Sequence, residues 1–281
     1  IPPESIFLGN GSDEAIDLLI RASCEPGVHS ILAIDPTYGM YAVAAAVNNV
    51  KYTGVLLNED FSLNTAKLLQ AVTSKTRLLF LCSPNNPTAN SFDSKDIDYV
   101  IRNFPGLVIL DEAYIDFSHH PGFLNRLHEY KNLVILQTFS KAWGLAGVRL
   151  GMAFAHPEVI NILYKIKYPY NINVLTQELV FNVLHQPAIK DHWVEMILKE
   201  RALLEQALTA IPCIKHVYPS DANFILVRVD EPGKIYKWLC TRSVIVRNRS
   251  NVSLCSGCLR ITVGTTDENR KLLEALSSFN H

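Results

Sequence analysis

Leu78-Leu79-Phe80-Leu81-Cys82 is an unbroken apolar run, and Ser83-Pro84-Asn85-Asn86-Pro87-Thr88-Ala89 ends it. A run without polar alternation marks a strand buried on both faces, as strands of parallel sheets are. The Asn-Pro steps behind it mark a turn. The pattern repeats outward in both directions. Apolar segments at residues 30–34, 52–57, 107–111, 133–138 and 150–155 read as further strands. Between them, residues 38–47, 64–71 and 94–103 carry helical spacing. Strands alternating with helices predict an α/β fold, a mostly parallel sheet covered by helices on both faces.

The character changes near Ala155. Residues 157–166, 174–184 and 189–210 have helical apolar spacing, and Pro212 closes the last stretch. Strands are then expected at 214–218, 223–229, 244–246 and 259–263, with helices at about 233–240 and 267–277 among them. The expected organisation is a large α/β domain over residues 1–168, a helical connection over 169–210 and a smaller α+β domain over 211–281.

Composition narrows the function. The net charge of −1 offers none of the concentrated Lys and Arg that a nucleic-acid surface needs. No apolar run approaches the roughly 20 residues of a membrane-spanning helix. Residue 1 is Ile rather than Met, so the chain is expected to continue upstream. The cysteines at 24, 82, 213, 240, 255 and 258 are scattered through a chain long enough to need no staples. Cys255-Ser256-Gly257-Cys258 lacks the second ligand pair of a zinc site, so plain thiols in a reducing, cytoplasmic setting are expected. No metal site is expected either at the adjacent His119-His120, and there is no His-Glu-x-x-His.

Ligands of open α/β sheets bind beyond the carboxyl ends of the parallel strands. There the sequence gathers Tyr38, Asn86, Asp111, Tyr114, Thr138, Ser140, Lys141 and Arg149. Singly, each has a bland reading: a turn residue, a helix cap, a solvated lysine. Together they suit pyridoxal phosphate. Its pyridine nitrogen needs a carboxylate, and its ring oxygen a hydroxyl and an amide. Its phosphate needs an Arg, hydroxyls and a helix N-terminus, and its aldehyde a Lys. Gly9-Asn10-Gly11-Ser12-Asp13-Glu14, leading into Ala15-Ile16-Asp17-Leu18, supplies the helix start, with the Ser12 and Asp13 amides aimed at an anion.

These segments, with Pro36-Thr37-Tyr38-Gly39-Met40-Tyr41, Leu145-Ala146-Gly147-Val148-Arg149 and Gly257-Cys258-Leu259-Arg260-Ile261-Thr262-Val263-Gly264, run in order over nearly the whole chain. The sequence resembles the fold-type-I pyridoxal-phosphate-dependent aminotransferases, and among them the class II histidinol-phosphate aminotransferase subfamily. The resemblance implies a seven-stranded-type sheet, a homodimer and a transferase of histidine biosynthesis. It would transaminate between L-histidinol phosphate and 2-oxoglutarate, giving imidazole-acetol phosphate and glutamate. It also assigns roles. Lys141 would hold the cofactor's aldehyde and move the substrate proton. Asp111 would pair with the pyridinium nitrogen, while Tyr114 and Asn86 would bond the ring oxygen. Tyr38 would stack on the ring. Ser12, Asp13, Thr138, Ser140 and Arg149 would hold the phosphate. Arg260 would receive the glutamate carboxylate or the substrate phosphate, with Arg247, two strands away, assisting.

This chain departs from the pattern at Ala89, where the family has Gly after Asn-Pro-Thr. A left-handed backbone there would cost Ala about 1 kcal/mol. In the family an upstream portion supplies an arm over the substrate, a Tyr that reaches the partner subunit's cofactor phosphate, and part of the small domain. The same fold also serves threonine-phosphate decarboxylases and aromatic amino-acid aminotransferases, which differ in pocket residues. An aminotransferase-like sensor domain of a transcription regulator is the remaining alternative, and a basic helix-turn-helix upstream would mark it.

Overall fold

In the computed structural model, which describes residues 1–279, the six apolar runs of the large domain form one seven-stranded sheet together with a strand at residues 6–10 that was not among the expected ones. Its strands are β1 (Ile6–Asn10), β2 (Ser30–Asp35), β3 (Lys51–Leu56), β4 (Thr76–Cys82), β5 (Leu107–Asp111), β6 (Leu133–Thr138) and β7 (Leu150–Ala155). Their spatial order is β1-β7-β6-β5-β4-β2-β3. From β3 to β6 the neighbours are parallel; β7 runs antiparallel to β6, and β1 antiparallel to β7.

Five helices cover this sheet: α1 (Ser12–Ser23), α2 (Met40–Val47), α3 (Thr65–Gln70), α4 (Ser94–Asn103) and α5 (Pro157–Ile166). The strands are apolar throughout because successive side chains serve different cores. In β4, Leu79 and Leu81 join the core under α3 and α4, while Leu78, Phe80 and Cys82 join the core under α1, α2 and α5. In β5, Val108 and Leu110 face the first core and Ile109 the second. Each fully buried aliphatic side chain contributes about 1.5–3 kcal/mol. Side-chain caps set the starts of α3 and α4: Asn64 accepts the Lys67 N–H at 3.0 Å and Asp93 the Lys95 N–H at 2.7 Å.

Beyond β7 come α6 (Val174–Leu184) and the long α7 (Pro187–Thr209), opened by proline at its first position. A four-stranded antiparallel sheet follows, ordered β10-β11-β9-β8, from β8 (Ile214–Val217), β9 (Phe224–Val229), β10 (Arg247–Asn248) and β11 (Cys258–Thr262). With α7, the helices α8 (Pro232–Thr241) and α9 (Thr266–Ser277) close its core. Val194 of α7 packs with Tyr114 and Phe117 of the large sheet's loops, and Leu204 and Leu208 pack in the small core. Buried Arg201 of α7 donates to the carbonyls of Phe117 (3.0 Å) and Ala222 (2.8 Å), fastening the two parts.

The strand expected at 244–246 lies at Arg247–Asn248 instead. Val246 is apolar because it covers the small core, with Val244 packed against it. The backbone pairs with β11 only from Arg247 onward, opposite Arg260. Apolarity marks burial, which need not coincide with the hydrogen-bonded ladder.

The sheet positions the site. Strand order reverses between β2 and β4: β3 lies beyond β2 on one side, β5 and β6 beyond β4 on the other. The loops leaving β2 and β4 diverge, which opens a crevice at their carboxyl ends.

Candidate active site

That crevice forms a partly open cavity at the carboxyl ends of the parallel strands. Gly11, Ser12, Asp13, Tyr38, Asn86, Asp111, Tyr114, Thr138, Ser140, Lys141 and Arg149 line it. The structure therefore gathers in one place the ten residues proposed from sequence as cofactor ligands. Arg260 reaches its edge from β11, bonded to Asn86.

One end is built for an anion. No acceptor among the described residues takes the first-turn amides of Ser12 and Asp13, and Gly11 caps α1 without a side-chain bond. The Gly11 N–H donates to the Arg149 carbonyl at 2.8 Å, which seats this turn against β7. A methyl on Gly151 of β7 would lie 2.2 Å from the Ser12 nitrogen, so only glycine lets the helix start come so close. The Arg149 guanidinium lies 3.6 Å from the Asp13 carboxylate. Thr138 is partly committed: its hydroxyl donates to the Leu150 carbonyl (3.3 Å) and accepts the Ser140 N–H (3.1 Å). It thereby shapes the turn that carries Ser140 and Lys141.

The centre holds two groups in tension with their burial. Asp111, 3% exposed, accepts from the Tyr41 hydroxyl at 2.7 Å and the Ala113 N–H at 3.1 Å, and makes no ion pair among the described residues. Burial pushes its carboxyl above the usual range, against the pull of those two donors. Burial and the nearby Arg260 charge hold the Lys141 ammonium below its usual range. Its Nζ stands 5.1 Å from the centre of the Tyr114 ring.

Tyr38 donates to Asp13 at 3.1 Å and meets Tyr41 edge-on. Arg260 donates to the Asn86 side-chain oxygen at 2.7 Å and lies over the Phe224 ring at 4.7 Å. Because that oxygen accepts, the Asn86 amide NH₂ remains free to donate into the cavity. Arg247 sits directly opposite Arg260 on the adjacent strand, one strand away rather than two. Asp230 and Glu231, which could have neutralised Arg260, pair with Lys215 and Lys234.

Ala89 has φ +69° and is fully buried among Tyr114, Phe117 and Phe224. The left-handed backbone expected there is present. Its cost of about 1–2 kcal/mol is offset by the buried methyl, about 0.8 kcal/mol, and by the lower chain entropy relative to Gly.

Several positioning residues escaped the sequence reading. Tyr41, fully buried and stacked on Phe80, holds Asp111; a lone tyrosine in an alanine-rich helix was the available signal, since a buried hydroxyl seeks a partner. Asn85 ties the loops of β2 and β4 by donating to the Pro36 carbonyl (2.9 Å) and accepting from Thr37 (2.9 Å). Glu112 points away from the cavity and accepts from the Phe123 N–H (2.7 Å) and from Gln137 (3.0 Å).

Burial raises the Glu112 carboxyl from 4.5 to about 7. Between those values the folded state binds more protons than the unfolded one, so stability from this group falls as pH rises and is lost above about 7. Glu112→Gln does not titrate. The variant's melting temperature relative to wild type should therefore climb by several degrees between about pH 5 and pH 8 in scanning calorimetry. A difference that ignores pH would show that this carboxyl titrates normally.

Comparison with known proteins agrees with this architecture. A family model described as aminotransferase class I and II matches residues 1–276. A histidinol-phosphate aminotransferase of Bacteroides thetaiotaomicron is 54% identical over 279 residues, covering 99% of this chain and 81% of the relative. Among solved structures, histidinol-phosphate aminotransferase from Clostridium acetobutylicum superposes with a TM-score of 0.90 at 26% identity, over 97% of this chain and 83% of that one. The Sinorhizobium meliloti enzyme of the same name, solved in complex with pyridoxal-5'-phosphate, has a TM-score of 0.85 at 21% identity, over 98% of this chain and 76% of that one.

Proposed function

The chain belongs to the class I and II aminotransferases, and from that membership we propose that it uses pyridoxal phosphate to move an amino group between L-histidinol phosphate and 2-oxoglutarate. The products are imidazole-acetol phosphate and glutamate, and the setting is histidine biosynthesis, as the name of the 54%-identical relative implies.

The observation that carries this reading is a charge mismatch confined to one cavity. Asp111 is a buried carboxylate with no bonded cation among the described residues, and the α1 start, Ser140 and Arg149 form a donor cradle. Pyridoxal phosphate has a protonatable ring nitrogen to meet the carboxylate and a phosphate to meet the donors, so the residues fit it. When bound, the cofactor supplies an electrophilic aldehyde and a ring that accepts the electron pair left by the departing substrate proton.

The chain's own residues do the rest. Asp111, held by Tyr41 and the Ala113 amide, presents fixed negative charge to the ring nitrogen. The Ser12 and Asp13 amides, Ser140 and Arg149 would hold the phosphate, with Thr138 shaping the turn. Tyr114 and the free NH₂ of Asn86 would hold the ring oxygen, and Tyr38 would pack on the ring. Lys141, its basicity lowered by burial and by Arg260, reaches neutrality more readily and so takes and returns the proton at the substrate carbon. Arg260 orients the carboxylate of glutamate or the phosphate of histidinol phosphate, and Arg247 assists with the latter.

The same reading takes residues 1–168 as the cofactor domain, 211–281 as the small domain, and the protein as a homodimer. In support of the last, Tyr168, Tyr170, Val174, Leu175 and Phe181 lay large apolar side chains on the surface around α6.

Single-turnover absorbance of the cofactor-loaded enzyme tests the assignment. Histidinol phosphate should convert the cofactor to its amine form, and 2-oxoglutarate should restore it. Conversion by phosphothreonine with release of carbon dioxide would mean a decarboxylase. Arg260→Lys keeps the charge and loses the planar fork. Its KM should rise about tenfold or more for both glutamate and histidinol phosphate, with cofactor affinity nearly unchanged. A lowered melting temperature with unchanged KM values would make Arg260 a structural residue.

A further inference from the structure

The small sheet places a third arginine beside the two already assigned. Arg249 follows Arg247 by two positions, and its N–H donates to the Cys258 carbonyl at 2.9 Å. The β10–β11 ladder thus continues past its paired residues, with Arg247 opposite Arg260 and Arg249 opposite Cys258. Alternation along a strand then puts Arg247, Arg249 and Arg260 on one face. It is the face turned toward the large domain, since Cys258 packs in a core shared with β4, whereas Leu259 and Ile261 pack in the small core.

Like charges opposed across a ladder repel. Here no ion pair among the described residues engages any of the three guanidinium groups. The Nε atoms of Arg249 and Arg260 are both buried without a hydrogen-bond partner. The charge of Arg249 is felt at Arg260 and also at the Tyr114 hydroxyl on the cavity wall. Arg247 is exposed and Arg260 is held by Asn86, but the two buried Nε donors are left open, and a multivalent anion among the forks would satisfy them.

We propose that Arg249 is a specificity-determining residue, which with Arg247 and Arg260 recognises the dianionic phosphate of the amino-alcohol phosphate substrate and favours it over a carboxylate. The inference rests on histidinol phosphate being the substrate. A carboxylate offers two oxygens and one charge, which the Arg260 fork satisfies. A phosphate monoester offers three terminal oxygens and close to two charges at neutral pH. It extends further along the ladder and needs further donors, which Arg247 and Arg249 supply.

The test compares wild type, Arg249→Gln and Arg249→Lys as cofactor-loaded full-length enzymes. Half-reactions with histidinol phosphate, unphosphorylated histidinol and glutamate are measured, with inorganic phosphate as a competitive inhibitor. In Arg249→Gln, the preference for histidinol phosphate over histidinol should fall about ten- to hundredfold, mainly through KM. The inhibition constant of inorganic phosphate should weaken in parallel, and the change for glutamate should be smaller. Arg249→Lys should recover part of the loss, because it keeps the charge without the fork. It also serves as the test if the Gln variant does not fold. Equal effects on histidinol and histidinol phosphate, a larger effect on glutamate, or unaltered phosphate inhibition would each overturn the proposal. If wild type itself ignores histidinol phosphate, the substrate reading fails, and phosphate inhibition alone then decides whether Arg249 is an anion ligand.

Discussion

Lys141→Ala is expected to abolish transamination, lowering kcat by about 10⁴-fold or more. The side chain is the one amine in the cavity lined by Ser12, Asp111, Ser140 and Arg149, and no other base among those residues can take its place at the substrate carbon. Removing it should leave the fold intact. Its backbone stays pinned by the Gly144 N–H donating to the Lys141 carbonyl at 3.0 Å, and the lost ammonium was disfavoured by burial and by Arg260. The melting temperature should therefore hold or rise. Pyridoxal phosphate should still bind, measured by equilibrium dialysis, because the α1 amides, Ser140 and Arg149 remain. Small primary amines added to the variant should restore part of the rate. Full activity in the purified variant would end the assignment of Lys141, and absent cofactor binding would show that the phosphate cradle is too weak to act alone.

Asp111→Asn should lower kcat by about 10²- to 10³-fold, the usual loss when one fixed electrostatic stabiliser is removed from a dry site. The change replaces a charged acceptor by an amide of the same shape. Either the Tyr41 hydroxyl or the Ala113 N–H then faces an NH₂ group and loses its acceptor, which costs about 1–3 kcal/mol. Against this, the variant no longer buries a carboxyl that burial already disfavours when ionised. The two contributions oppose each other, so melting temperature should move far less than rate. Tyr41→Phe separates them further. It removes one donor from Asp111 and should reduce kcat by a smaller factor while KM for glutamate stays close to wild type. If Asp111→Asn instead keeps its kcat and only unfolds earlier, Asp111 is a cap for the Ala113–Tyr114 turn and does not act on the cofactor.

Residues 78–82, 107–111 and 133–138 showed their strands in the sequence for a physical reason. A strand buried on both faces must be apolar at every position, a demand visible in one dimension. The residues that line the cavity were legible for a related reason. Asn86, Asp111, Ser140 and Lys141 end their strands or follow them by a few residues, so the parallel arrangement of β4, β5 and β6 suffices to bring them together. Other features depend on contacts that no local pattern encodes. Tyr41 meets Asp111 only because α2 packs on the face of β4 that carries Phe80. Arg260 meets Asn86 across 174 residues of chain only because α7 and Arg201 hold the small sheet against the β4 loop. The position of β10 was misplaced from sequence because Val246 is apolar for the small core and not for the ladder. That displacement is what sets Arg247 opposite Arg260 and carries Arg249 onto the same face. By itself, then, the sequence determined six of the seven strands, the helices between them and the residues that come together in the cavity, since a strand buried on both faces is apolar throughout and its end is marked locally. The tertiary structure alone decided how Arg247, Arg249 and Arg260 are arranged, because register and the docking of the small sheet are set by packing between distant segments.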